Sequence, residues 1–104
     1  MQIIKELVER IDDEIQGAKD YVLLAQRVRL EHPRIADKLV ELAETEMQHA
    51  KILHGEATKA IEQARARDGE PPAAMLAVYE YEHEKQIKCA AEVRQLITDY
   101  RDDA

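Results

Sequence analysis

The sequence predicts an all-α fold of three long helices, and three observations carry that expectation. Charged residues make up 36% of the chain, and Glu, Lys, Arg, Ala and Leu, all good helix formers, dominate it. Aromatic residues reach only 4%, with no Phe and no Trp, and β-branched runs are few, which leaves little material for a sheet. Glycine and proline number only three each, and the prolines fall at two places. At 45% hydrophobic residues the chain carries too much apolar side chain for disorder. Its 104 residues give room for one core, so a single domain is expected over 1–104.

The first helix is expected over about 2–31. It ends at His32-Pro33, because a proline disfavours helix in the residue before it and suits the first turn of the next helix. The second runs over about 33–68 and stops at Asp68-Gly69-Glu70-Pro71-Pro72, with glycine for the stop and proline for the restart. The third occupies about 72–101. At about 1.5 Å per residue each rod is roughly 45–55 Å long, so the bundle is slender and leaves flanks uncovered. That length points to an oligomer.

Each segment carries a row of side chains at alternating three- and four-residue spacing. In the first, the row is Ile4, Leu7, Ile11, Glu14, Ala18, Tyr21, Ala25 and Val28, with Val8, Ile15 and Val22 beside it. In the second, it is Ile35, Leu39, Leu42, Glu46, His49, Leu53, Glu56 and Ala60. In the third, it is Leu76, Tyr79, His83, Gln86, Ala90, Val93, Ile97 and Tyr100. Gly17 and Gly55 fall inside helices, where each costs about 1 kcal/mol relative to alanine.

The net charge of −7 argues against nucleic acid or an anionic membrane surface as partner, since both call for a basic patch. No apolar run approaches the ~20 residues of a membrane span. No basic region precedes an apolar core at the N-terminus, so the expectation is a cytoplasmic protein. Cys89 stands alone, which excludes an internal disulfide or a Cys-x-x-Cys metal knuckle. Excess carboxylate suits a protein that collects cations, and a solvated acidic surface explains it equally well.

Polar residues interrupt the apolar rows, three of them midway along the first two. Glu14 lies midway along the first, and Glu46 and His49 sit together on the second. An unpaired buried carboxylate costs several kcal/mol, so these groups need partners or cations. Glu14 is 18 residues before His32 and His49 is 17 after it, so an antiparallel hairpin levels the two, with Glu46 one turn nearer the loop. Carboxylate oxygen with imidazole nitrogen is the ligand set of iron, manganese or zinc.

Glu14, with Tyr21 seven residues on, and the segment Ala43-Glu-Thr-Glu46-Met-Gln-His49-Ala-Lys51 resemble the first two helices of the ferritin-like superfamily. The likeness runs over about residues 3–57 and is nearest to rubrerythrin and the encapsulated ferritins. It implies half of a di-iron site on each chain, with Glu14, Glu46 and His49 as ligands and Tyr21 two turns away; as a plain reading, Tyr21 is an amphipathic core aromatic.

A full member of that family supplies two Glu and two Glu-x-x-His pairs from four helices of one chain. Here Glu80/His83 repeats the Glu46/His49 spacing at an offset of 34, but the levels disagree. His49 is 20 residues before Gly69 and His83 only 14 after, roughly 9 Å of axial mismatch. Glu84 lies off the apolar face. Glu80 and His83, with Glu56, are therefore expected outside the main site. A two-fold homodimer restores the count, since two copies of the hairpin make a four-helix bundle with four Glu and two His. The tail Tyr100-Arg-Asp-Asp-Ala104 has no apolar segment resembling an encapsulin-targeting peptide, so an encapsulin shell is not an expected partner. Two functions of different class follow. One is a di-iron ferroxidase or peroxide-reducing oxidoreductase. The other is a structural helical oligomer whose polar row sets register.

Overall fold

A computed structural model describes residues 2–103; Met1 and Ala104, the ends of the expected 1–104 domain, lie outside them. The described residues form three helices and no strand: α1 (Gln2–Val28), α2 (Pro33–Asp68) and α3 (Ala73–Asp102). α1 stops about a turn earlier than its proline break implies. The His32 amide bonds back to the Val28 carbonyl at 2.7 Å, and the chain turns there with Leu30 standing in solvent. At the end of α2, Gly69 adopts φ 81°, a left-handed conformation that glycine takes at no steric cost, and its amide caps the Arg65 carbonyl at 2.9 Å. Pro72 then opens α3, its carbonyl accepting from the Met75 and Leu76 amides.

α2 alone, at about 1.5 Å per residue, accounts for the 55 Å length of a rod only 17 Å across. The radius of gyration is 16.6 Å, against about 13 Å for a compact chain of this size. α1 lies between the other two helices: it packs along α2 and, on another flank, against α3, whereas α2 and α3 meet only sparsely.

The α1–α2 seam differs from the row that the large aliphatics of α2 suggest. Buried on α2 are Ala36, Val40, Ala43, Ala50 and Ala57, and they face Ile4, Ile11, Ile15, Ala18, Val22 and Ala25 of α1. Ile35 and Leu42, expected inside, are 55% and 45% exposed. Four alanines at seven-residue spacing let the two backbones approach closely, and a seven-residue repeat gives a left-handed supercoil. The larger side chains one position away are left on an open face.

α3 follows its expected row from Gln86 onward, where Gln86, Ala90, Val93 and Tyr100 are buried, but His83, expected on the same row, is exposed. Gln86 would be costly without partners, and its amide donates to the Val8 carbonyl at 3.2 Å and to Asp12 at 3.0 Å, tying α3 to α1. At the far end the Tyr100 hydroxyl donates to Asp37 at 2.8 Å, and the Arg29 guanidinium lies 3.8 Å over its ring and donates to its carbonyl. Burial, then the bond to Asp37 and its negative charge, raise the Tyr100 hydroxyl above its ordinary value, against the opposing charge of Arg29. Arg101 also pairs with Glu44.

Two substitutions should separate these contributions in urea or thermal unfolding. Tyr100→Phe keeps the ring against Arg29 and should lose about 1 kcal/mol, whereas Tyr100→Ala should lose about 3 kcal/mol or more. Gly55 sits in α2 with nothing within 4 Å of the place an alanine methyl would take, so Gly55→Ala should stabilise the chain by about 1 kcal/mol.

Candidate metal centre

The alanine seam positions the polar trio. Glu14 projects from α1 between buried Ile11 and Ala18, and Glu46 and His49 project from α2 between buried Ala43 and Ala50. Because α1 and α2 run antiparallel at close range, the three side chains converge, each offering a ligand atom within 4.8 Å of the others. Among the described residues they are the only His, Cys, Asp and Glu group of three or more that does so. The His49 Nδ1 lies 3.6 Å from Glu14 Oε2. Gly17, one turn beyond Glu14, lies beneath Glu46: a Cβ there would meet Glu46 Oε2 at 3.4 Å. The glycine thus leaves the Glu46 carboxylate its place against α1.

Burial divides the three. The Glu14 and Glu46 residues are half-buried, while the His49 side chain is 50% exposed. Glu14 Oε2 itself is buried and has no hydrogen-bond partner. Glu46 holds its proton above the ordinary value of 4.5, chiefly through a hydrogen bond to Glu14, then through desolvation and the Glu14 charge, with His49 opposing. A protonated Glu46 can donate to Glu14; once both carboxyls are ionised there is no donor, and two negative charges face one another.

Tyr21 packs half-buried against the apolar cluster, and no hydrogen bond joins it to the trio among the described residues. Glu80 and Glu84 are exposed on α3, and Glu56 is paired with Lys59 at 3.5 Å. His83 meets His54 of α2, not His49: His54 Nε2 and His83 Nδ1 are 3.1 Å apart. His54 stands on no apolar row and was missed for that reason, although counting back from Gly69 levels His83 with Gly55, its neighbour.

Compared with known proteins, the chain matches no family model, no curated protein and no solved structure. No described helix is long and apolar enough to cross a membrane.

The carboxyl pair has a pH signature. A group whose proton is held more tightly in the folded chain contributes stability that is fully present below its unfolded pKa and is lost as pH rises through the folded value. For Glu46 the window opens at about 4.5 and extends upward. The metal-free chain should therefore lose stability across that window relative to Glu46→Gln, which keeps a donor toward Glu14 at every pH. Urea midpoints of the two proteins as a function of pH should diverge as pH rises; parallel curves would show that Glu46 and Glu14 do not share a proton.

Proposed function

We propose that two copies of the chain pair through the α1–α2 face and hold iron between them, making a ferritin-like metal-dependent oxidoreductase of the ferroxidase or peroxide-reducing kind. The observation that carries this reading is Glu14 Oε2, buried without a hydrogen bond beside the Glu46 carboxyl and 3.6 Å from the His49 ring. A divalent cation offsets what a single imidazole cannot, and mixed oxygen and nitrogen donors suit iron, with manganese or zinc as alternatives.

Glu14 and Glu46 would hold the ion through oxygen and His49 through nitrogen. Bound iron supplies one-electron chemistry toward dioxygen or peroxide. The chain's own residues do the rest. Glu46 would release its proton on holding a cation, Gly17 lies beneath its carboxylate, and the alanine seam would hold α1 and α2 at fixed separation.

The second copy is supported by the face on which the trio opens. Leu7, Tyr21 and Val28 of α1 share the seven-residue stripe of Glu14 and are half-buried; Ile35 and Leu42 of α2 share that of His49 and are largely exposed. The accessible surface is 7208 Å², against roughly 6,000 Å² for a folded monomer of this mass. Pairing across this stripe brings four Glu and two His to one level and covers His49.

The structural-oligomer reading has its own support in the shared proton: Glu46 protonated against Glu14 satisfies the pair with no metal. Metal content separates the two. Protein produced with iron should sediment as a dimer or larger and carry iron. It should also oxidise added Fe(II) in air faster than buffer, with the near-ultraviolet absorbance of ferric ion. Glu46→Ala should abolish uptake and oxidation while leaving helicity intact. A metal-loaded monomer would overturn the pairing of two copies, and equal oxidation by parent and variant would leave the structural oligomer as the better account.

A further inference from the structure

We infer that His54 and His83 form a second metal site, one that takes a borderline transition-metal ion of the zinc, nickel or copper type and clamps α3 to α2. It is independent of the Glu14/Glu46/His49 centre. His54 lies five residues beyond His49, which is about 7.5 Å along α2 and roughly 140° around it, so the two sites open on different faces.

His54 Nε2 and His83 Nδ1 are 3.1 Å apart. Two nitrogens at that separation reach a common ion at about 2.1 Å with an angle at the metal of roughly 95°, that of neighbouring ligands. Imidazoles converging in this way have ring centres roughly 4.8 Å apart, and these centres are 4.9 Å apart with the planes 25° from parallel. A head-on hydrogen bond of the same length would set the centres roughly half an ångström further apart. The rings are stacked near-parallel, and their separation is that of two ligands able to share an ion.

Both histidines line an open cleft of about 340 Å³ among the three helices, and Glu80, one turn before His83, lines the same cleft, as do Glu62 and Glu82. The Glu80 side chain is exposed and free of any ion pair among the described residues, so it can swing in as an oxygen donor, water taking the remaining positions. Two imidazoles as the fixed donors favour zinc, nickel or copper over calcium or magnesium. The clamp also falls where the fold is thin: α2 and α3 are joined by side-chain bonds at the Tyr100 end, through Asp37 and Glu44, and elsewhere by this histidine pair.

The test uses tag-free, full-length chain carrying His49→Ala, which removes the only imidazole of the first centre and leaves His32, His54 and His83. In equilibrium dialysis with zinc, this chain should bind one ion per chain through the pair. The added substitution His54→Ala or His83→Ala should abolish that equivalent, as should His83→Gln, which keeps a hydrogen-bonding side chain. Copper(II) on the His49→Ala chain should show paramagnetic-resonance coupling to two nitrogens. Zinc should raise the melting temperature of the His49→Ala chain but not of its His54→Ala or His83→Gln derivatives. Both rings are exposed, so these variants lose little packing, and the copper spectrum needs no substitution at either position. Unchanged zinc stoichiometry on losing either histidine, or coupling to one nitrogen or none, would overturn the site and leave the pair a hydrogen bond only.

Discussion

Most of this structure depends on one constraint, the close approach of α1 and α2 along a row of alanines. Ala36, Ala43, Ala50 and Ala57 recur every seven residues on α2 and are all buried. Small side chains bury little apolar area each, but they let two backbones draw near over many turns, so the contact is long rather than deep. The consequence on the flank is immediate. Glu14 of α1 and Glu46 of α2, on the flank of that seam, are carried within 4.8 Å of one another, close enough for Glu14 to raise the Glu46 proton affinity, with Gly17 beneath. A wider seam of leucines would have left the two groups separately solvated.

That proximity gives the centre its electrostatic character. Two carboxyls with one buried oxygen between them have two ways to be satisfied, a proton or a cation, and the two exclude each other. Ordinary surface carboxylates of this acidic chain face no such choice, because water solvates them. His49 stands half in solvent on the same stripe as Ile35 and Leu42. The polar group that would complete a metal shell and the apolar groups that would complete a core are thus exposed together, on one face.

α3 is held differently. Its contact with α1 centres on Gln86, Ala90 and Val93, and its ends rely on directional groups: Tyr100 with Asp37 and Arg29 at one end, His54 with His83 toward the other. Directional contacts fix register without burying much area, which suits a helix that flanks a centre instead of contributing to it. Gln86, Ala90 and Val93 place an amide and apolar groups against α1.

By itself the sequence determined the three helices, because two proline-bearing breaks leave no other division, and it determined the level of the trio, because a helix rises by a constant amount per residue. Counting from His32 aligned Glu14 with His49, and the same counting from Gly69 moved His83 away from it. Which row of α2 turns inward was decided only by the tertiary structure. Periodicity weights large aliphatics, so Ile35 and Leu42 read as core, yet closeness between two helices depends on the smallest residues of both surfaces together, and the alanines prevailed. The same holds for His54, which gains meaning only from the ring that α3 brings to 3.1 Å. A level along a helix is a property of one chain segment; a facing partner is a property of two, and only packing supplies it.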